Sequence, residues 1–287
     1  MEKLQRMTEC IAYIEDNLEG ELDMEEIAKI AYMSKFHFQR MFSMLTGYTV
    51  TEYIRNRRIT KAAQELLNED ARVIDIALKY GYESPEAFTK AFRNIHGISP
   101  TAAKKNSHSL KAYPKLSFQI QLKGDVEMDY KIVEKDAFTV VGKSISTTTV
   151  GGENHRTIAT FWDESNVNGF TAELAINCGE LGLLGICLEF DQKLENITYL
   201  IAAEKNIEEV PSDWLESEIP SSTWAIFPVH GAMPDAMPKV WQRIFSEWFP
   251  STGYEHSGGP EMEVYLSNGD PASENYYSEI WIPIKKK

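Results

Sequence analysis

Cysteine is scarce in the sequence, and the three cysteines present, Cys10, Cys178 and Cys187, form no CxxC pair. This number and spacing exclude a disulfide framework and a zinc ribbon. The first residues lack the apolar segment of a signal peptide, and no run approaches the roughly 18 apolar residues that span a bilayer. We therefore predict a cytoplasmic protein with reduced thiols and no membrane association.

Basic residues are also few: the sequence has 29 Lys and Arg and 43 Asp and Glu, which gives a formal net charge of −14. Over the whole chain this balance argues against nucleic-acid binding, because phosphate backbones attract positive surfaces. The charge is unevenly distributed, however. Residues 108–287 hold −13 of it, whereas residues 35–61 carry +5 and residues 72–105 carry +3.

Catalytic and metal-binding motifs are missing as well. The sequence contains no HExxH, GxSxG or P-loop, and its six histidines do not cluster. We accordingly predict no catalytic residue, no metal site and no cofactor. The length of 287 residues and the hydrophobic content of 43% predict two ordinary globular domains.

The first 107 residues contain a series of seven short amphipathic helices. Apolar residues recur at steps of three and four between Leu4 and Leu18, which predicts the first helix. Later helices are preceded by residues that cap a helix N-terminus. These capping residues are Asp23, Ser34, Thr49 and Ser84.

The helical part repeats itself at an offset of 50 residues. Upstream the offset is 49, with Ile27 matching Ile76, so the second turn is one residue longer. Each copy is a short helix, a tight turn and a longer helix, which is the pattern of a helix-turn-helix; a plain helical bundle is the alternative. The matching pairs are Phe38 with Phe88, Phe42 with Phe92, Leu45 with Ile95, Gly47 with Gly97 and Thr49 with Ser99.

The outward positions of the longer helices carry side chains suited to DNA. Gln and Arg can bond adenine and guanine edges in the major groove. The helix that joins the copies, residues 50–67, is about 27 Å long, which spaces two recognition helices by about one DNA turn. Arginines on this joining helix are suited to phosphates, although one of them can pair internally instead. The predicted contacts are Lys35, Phe36, Gln39, Arg40, Arg55, Arg57, Glu86, Thr89, Lys90 and Arg93.

The stretch IALKYGYESPEAFTKAFRNIHGISPTAAKK resembles the signature of the AraC/XylS family of transcription regulators, and SKFHFQRMF resembles the first recognition helix of its Mar/Sox/Rob branch. The resemblance covers about residues 3–105 and implies that both recognition helices contact bases, which adds Pro85 to the candidates. The sequence departs from the family pattern at Phe36, where that branch often has Trp, and at Glu86, which brings a carboxylate to the DNA face. Ala103 and Lys104 replace an aromatic–basic pair.

Beyond about residue 125 the apolar period changes from 3.6 to 2, and elements follow the order β-α-β-β twice, with the halves meeting near residues 205–222. The preceding link contains an early strand-like run. The sequence thus predicts a multidomain chain. Its regions are an all-α double helix-turn-helix domain (1–107), a linker (108–124) and an α+β domain of duplicated β-α-β-β halves (125–287).

The last strand, residues 278–284, places Glu279 on the same face as Trp281, because side chains alternate along a strand. A carboxylate among aromatic rings is costly unless it is paired. A cationic or hydrogen-bonding ligand would relieve that cost, helped by cation–π contacts. The alternative is that Glu279 is an exposed polar residue on a half-buried strand.

Three segments, YKIVEKDAFTVVGKS, IPSSTWAIFPVHG and YYSEIWIPIKK, resemble in order and spacing the GyrI-like effector-binding domain, over about residues 126–287. The resemblance implies a pocket for a lipophilic, often cationic effector around the acidic residue that precedes the terminal IPI strand, which is Glu279 here. The aromatic residues expected around it are Trp162, Tyr199, Trp224, Tyr265 and Trp281.

Together these features predict a transcription regulator that binds double-stranded promoter DNA and a small-molecule effector. Two recognition helices in one chain allow DNA binding by a monomer, and the oligomeric state stays open. Two alternatives remain. Some relatives of the GyrI-like domain resemble hydrolases, and Glu279 with Tyr265 could serve as general base and partner. The acidic C-terminal domain could instead contact RNA polymerase or another protein.

Overall fold

The structure is a computed structural model that describes residues 2–67, 71–105, 110–117, 127–149, 152–176, 178–191, 196–266 and 269–287. The chain divides into two compact units. One comprises Met1–Gln39 with Thr49–Lys123, and the other Arg40–Tyr48 with Gly124–Lys287. Within the described ranges, no helix is long and apolar enough to cross a membrane.

The described residues up to 105 form seven helices, as the sequence predicts. Their bounds are α1 Glu2–Asp16, α2 Met24–Ile30, α3 Lys35–Thr46, α4 Val50–Leu66, α5 Val73–Lys79, α6 Pro85–His96 and α7 Pro100–Lys105. All four predicted caps accept a backbone N–H of the first turn, which satisfies a donor that the helix itself leaves free; for Ser34 the donor is His37 N, at 3.4 Å. The other three bonds run from Glu25 to Asp23, from Glu52 to Thr49 and from Ala87 to Ser84.

The two helix-turn-helix units repeat in backbone conformation as well as in sequence. The turn after α2 places Tyr32 at φ 54°, and the turn after α5 places Gly81 at φ 73°. In each turn the next N–H bonds back to the alanine of the preceding helix, Ala28 at 3.1 Å and Ala77 at 3.0 Å. Because the left-handed region favours glycine, Tyr32 is the strained member of the pair.

The apolar positions that define the repeat face inward. Phe38 and Phe42 of α3, and Phe88 and Phe92 of α6, are fully buried. Aromatic side chains contribute large buried areas, so these rings are major sources of stability in each unit. The second helix-turn-helix unit has a continuous core of Ile59, Ala62, Ala63, Leu66, Ile76, Ala77, Tyr80, Phe88, Phe92, Ile95 and Ala103.

Residues 110–117, the strap, follow α7 without regular secondary structure and lie on the helices. Side chains supply acceptors for backbone N–H groups that would otherwise be unpaired in an extended segment. The bonds run from Lys111 N to His96 Nδ1 (3.2 Å), from Tyr113 N to Thr60 Oγ1 (3.0 Å) and from Leu116 N to Tyr53 Oη (3.3 Å). The rest of the predicted strand-like run, and the boundary at 125, lie outside the described residues.

The described residues of the C-terminal unit form a nine-stranded antiparallel sheet. Its strands are β1 Lys131–Lys135, β2 Phe138–Thr148, β3 Cys178–Asp191, β4 Asn196–Lys205, β5 Leu215–Ile219, β6 Ser222–His230, β7 Tyr254–His256, β8 Glu261–Tyr265 and β9 Tyr277–Lys286. Its helices are α8 Glu153–Val167, α9 Phe170–Ile176 and α10 Ala236–Arg243, which continues through a π-helical turn, Ile244–Trp248, into α11 Phe249–Ser251.

The strand order β1-β6-β9-β8-β3-β4-β2-β5, with β7 beside β9, confirms the duplication. One half contributes β3-β4-β2 and the other β8-β9-β6, and the two triplets meet where β3 pairs with β8. The strand that begins each half pairs with the other half. Strand β1 of the first half pairs with β6 of the second, and β5 of the second half pairs with β2 of the first. Strands β5 and β7 were not predicted, because LESEI is strongly polar and β7 has only three residues.

Both faces of this sheet are covered. One face carries a core that includes Leu184, Trp224 and Trp281. The other carries Tyr199 and Ile201 under α8 and α9. Consecutive residues of β9 are therefore buried alike, so alternation along that strand does not separate a core row from a surface row.

Candidate functional sites

Helix α6 presents its predicted DNA contacts on the side opposite its buried phenylalanines. Ser84 caps its first turn, Pro85 occupies the first helical position, and Gly97 at φ 75° ends it. Proline suits that first position because its missing N–H would be unpaired in any case. Of the predicted contacts, Glu86, Lys90 and Arg93 are exposed, and Pro85 and Thr89 are half-buried.

Helix α3 carries the other four predicted base contacts, Lys35, Phe36, Gln39 and Arg40, all half-buried. Lys35 Nζ lies 3.8 Å from Glu25 Oε1, a long pairing at the surface. Arg40 belongs to the second compact unit, where its Nε donates to Glu261 Oε1 at 2.7 Å. Arg40 therefore already has a carboxylate partner, and the exposed contacts of α6 are the more direct candidates.

Of the arginines on α4, Arg57 pairs internally, which is the alternative that the sequence left open. Arg57 is 7% exposed, and its Nε and Nη2 donate to the two carboxylate oxygens of Glu15 at 2.7 Å each. Burial alone would raise the pKa of Glu15, but the hydrogen bonds from Arg57 and Tyr53 outweigh it and lower that pKa. Arg57 thus forms an internal ion pair with Glu15. Arg55, which is half-buried, remains the candidate phosphate contact of α4.

The helix-covered face of the sheet holds an acidic group where the two halves meet. Glu263 of β8 accepts hydrogen bonds from Trp241 Nε1 (2.9 Å), from Tyr265 Oη (2.8 Å) and, at 3.5 Å, from Tyr199 Oη. Trp162 Nε1 in turn donates to Tyr199 Oη at 2.9 Å, and its ring meets that of Tyr265 edge-on at 5.1 Å. We call Glu263, Trp162, Tyr199, Trp241 and Tyr265 the Glu263 cluster.

Burial raises the pKa of Glu263 and the charge of Glu261 adds to this, while the bonds from Trp241 and Tyr265 and the positive charge of Arg40 oppose it. Burial and the neighbouring Glu263 also hold the pKa values of Tyr199 and Tyr265 well above 10, so both hydroxyls remain donors. The hydrogen-bonding partners of this carboxylate are neutral. Such a group favours a cation, which aromatic rings also attract.

Glu279 lies elsewhere. Its carboxylate accepts hydrogen bonds from Lys131 Nζ (3.1 Å), Tyr277 Oη (2.8 Å) and Trp281 Nε1 (2.7 Å). The residue is 7% exposed, and the Lys131 ammonium supplies its counter-charge. An ion pair with two further donors fully accounts for this carboxylate within the fold.

The residues expected to surround one ligand fall into two groups. Trp281 and Trp224, whose rings are 5.9 Å apart, share the Glu279 face, whereas Trp162, Tyr199 and Tyr265 belong to the Glu263 cluster on the other. The register pairs Tyr265 with Ser278, so Tyr265 and Glu279 face opposite ways and cannot form the acid–base pair of the hydrolase alternative.

Sequence reasoning missed Glu263 and Trp241. The segment EMEVY contains the relevant pattern, because alternation places Glu263 on the same face as Tyr265, a predicted ligand contact. Trp241 required the packing of α10 on the sheet.

Known proteins are similar to both parts of the chain. Residues 131–284 match the family model described as integron-associated effector binding protein, and residues 27–106 match one described as a helix-turn-helix domain. The HTH-type transcriptional activator AarP of Providencia stuartii is 43% identical over 95 residues, covering 33% of this chain and 70% of AarP. The multiple antibiotic resistance protein MarA of Escherichia coli K12 is 39% identical over 88 residues, covering 31% of this chain and 69% of MarA.

The C-terminal part is similar to a solved structure of SAV2435 bound to tetraphenylphosphonium. The identity is 25% and the TM-score 0.50, and the match covers 55% of this chain and 94% of that one. Two helix-turn-helix units followed by an effector-binding fold define a DNA-binding transcription regulator. The chain belongs to the AraC-type helix-turn-helix regulators through residues 27–106 and to the integron-associated effector binding protein family through residues 131–284. Both resemblances drawn from the sequence are thereby confirmed.

Proposed function

We propose that this regulator binds promoter DNA through α3 and α6 and that a lipophilic cation bound at the Glu263 cluster controls its DNA binding. The observation that carries the proposal is the position of Glu263. This partly buried carboxylate lies where the two halves of the domain meet, and within the described residues its hydrogen-bond donors are the neutral indole of Trp241 and the hydroxyls of Tyr265 and Tyr199.

The chemistry of the cluster supports a lipophilic cation as the effector. Trp162 and Tyr265 are half-buried beside the carboxylate, so an apolar group can contact their rings while its positive centre approaches Glu263. Cation–π attraction adds about 0.5–2 kcal/mol, more where water is excluded. The relative SAV2435, bound to tetraphenylphosphonium, supports the same class of ligand.

Control of DNA binding follows by thermodynamic linkage. If the cation binds two conformational states with different affinities, it changes DNA affinity by the same factor by which DNA changes cation affinity. The proposal includes DNA binding by a monomer, with two recognition helices in one chain, and contact of the C-terminal domain with RNA polymerase at the promoter.

The test is a titration of the full chain with tetraphenylphosphonium, followed by Trp fluorescence, because Trp162 and Trp241 lie in the cluster. Tetraphenylborate, which has nearly the same shape and the opposite charge, is the matched probe. We expect the cation to bind and the anion to bind far more weakly. Equal binding of the two ions would remove charge recognition from the proposal.

A second experiment links the two activities. DNA selected from a random pool by the full chain is titrated in the presence and absence of tetraphenylphosphonium. A change in DNA affinity supports control by the cation. An unchanged affinity at saturating cation means that the two sites act independently.

A further inference from the structure

Tyr199 and Glu263 belong to strands that are not neighbours. Tyr199 lies on β4 and Glu263 on β8, with β3 between them. Adjacent strands are about 4.8 Å apart, so a contact across an intervening strand spans about 10 Å. The Tyr199 hydroxyl nevertheless reaches to 3.5 Å from Glu263 Oε2. The residue of β3 beneath that hydroxyl therefore determines whether the contact can form.

That residue is Gly185. The register pairs it with Glu263 on one side and with Ile201 on the other, so a side chain here would stand on the face of the Glu263 cluster. An added Cβ would lie 2.1 Å from Tyr199 Oη, 3.1 Å from Tyr199 Cζ and 3.4 Å from Glu263 Oε2. The shortest of these distances is about half of a normal van der Waals separation. The backbone of Gly185 is not in the left-handed region, so glycine is required for space alone.

The same hydroxyl also orients a second residue. Trp162 Nε1 of α8 donates to Tyr199 Oη at 2.9 Å. The Tyr199 hydroxyl therefore connects Trp162, from the first half of the domain, with Glu263, from the second. Displacement of Tyr199 would remove the acceptor of Trp162 and, among the described residues, leave Glu263 with the donors Trp241 and Tyr265.

We propose that Gly185 is a positioning residue of the effector site: the space above β3 lets Tyr199 hold Trp162 and Glu263 in the arrangement that binds a cation. This inference rests on the proposed function of the Glu263 cluster. It differs from that function because Gly185 itself supplies no group to the ligand.

The experiment starts from Gly185→Ala in the full chain, with tetraphenylphosphonium as the probe. We expect its affinity to fall at least about tenfold, with a lower Tm and altered Trp emission, because Tyr199 is displaced. Gly253→Ala is the matched control. Its Cβ would meet nothing within 4 Å, and its backbone is not left-handed. This control should keep the affinity and Tm of the unmodified chain.

Tyr199→Phe separates positioning from a loss of folding. Phenylalanine lacks the oxygen that would lie 2.1 Å from the new Cβ, so it should restore the Tm lost in Gly185→Ala. The affinity of the double variant should stay as low as that of Tyr199→Phe alone, because the hydroxyl is missing. The two substitutions are then strongly non-additive, as expected for residues in contact.

Two results would overturn the inference: unchanged affinity and Trp emission in Gly185→Ala, or losses of Tm that simply add in the double variant. If the unmodified chain does not bind tetraphenylphosphonium, the proposed ligand class fails. In that case the Tm cycle between residues 185 and 199 still decides whether Gly185 positions Tyr199.

Discussion

Glu263 and Glu279 lie on neighbouring antiparallel strands yet point to opposite faces of the sheet, because the register pairs Glu263 with Ile280 and Glu279 with Val264. Their surroundings differ accordingly. Lys131 neutralises Glu279, whereas Glu263 is bonded by hydroxyls and indoles. The buried Glu279 therefore has a charged partner in the fold, whereas the half-buried Glu263 is the carboxylate that we propose for ligand binding.

The first prediction uses these two carboxylates as a matched pair. Glu263→Gln keeps the shape of the side chain and removes its charge, so tetraphenylphosphonium affinity should fall by about 1–2 kcal/mol, or five- to thirty-fold. Glu279→Gln should leave the affinity unchanged and instead lower stability, because Lys131 loses its partner. Isothermal titration and thermal unfolding of both variants check this, and a larger loss of affinity in Glu279→Gln would contradict it.

The raised pKa of Glu263 predicts how stability and binding depend on pH. A carboxyl whose pKa is higher in the folded than in the unfolded state is stabilising while protonated, and that contribution is lost as the pH rises through the folded-state pKa. Glu263→Gln should therefore be at least as stable as the unmodified chain at pH 8, with the difference shrinking towards pH 4.5. Denaturant unfolding across this range is the measurement, and a difference that grows on acidification would contradict it.

The ionisation of Glu263 should also determine how tightly the ligand binds. Tetraphenylphosphonium favours the ionised carboxylate, so its affinity should increase as the pH rises through the pKa of Glu263. The Glu263→Gln variant should show a flat profile. An equally steep profile in that variant would assign the pH dependence to another group.

The buried pair of Arg57 and Glu15 predicts a large loss of stability. Arg57→Ala leaves the Glu15 carboxylate buried without its partner and should cost about 3–5 kcal/mol. Arg72, exposed and paired with Asp75 on the surface, is the control, and Arg72→Ala should unfold like the unmodified chain.

Because the pKa of Glu15 is lowered, the contribution of the Arg57–Glu15 pair is present above about pH 4.5 and is lost as the pH falls further. Urea unfolding at pH 7 and pH 3 measures both effects.

DNA binding should depend on the exposed cations of α6. Lys90→Ala and Arg93→Ala should each weaken binding to selected DNA by about 1–3 kcal/mol without a change in Tm. Where the contact is to phosphate, the slope of affinity against salt concentration should also fall by about one. Arg72→Ala removes the same charge from the same domain outside the recognition helices. A loss in Arg72→Ala as large as in the other two would mean that only net charge matters.

The architecture could be predicted from the sequence to a large extent, and the candidate site only in part. Helices were located because capping residues such as Ser84 and terminating glycines such as Gly97 act locally. Alternation along β9 groups Glu279 with Trp281 but does not reveal which neighbours each face meets, so the sequence alone predicts neither Lys131 beside Glu279 nor the partners of Glu263. Those neighbours follow from the pairing of β3 with β8, which joins residues about 80 positions apart.

Arg57 shows the same limitation on a helix. Its charge and its position on α4 suit a phosphate contact, and only the packing of α1 places Glu15 against it. The repeat at offset 50, in contrast, is a property of the sequence itself. It therefore predicted the two helix-turn-helix units without knowledge of any tertiary contact.

The strap has a consequence for how such proteins can recombine. A chimera joined directly after α7 would discard residues 110–117 and leave Thr60, His96 and Tyr53 without the backbone donors that they accept. Leu110 and Tyr113 would also be removed from the edge of the helical core. In a functional chimera, the fusion point should therefore lie beyond residue 117. The DNA-binding segment to be transferred is thus longer than its seven helices.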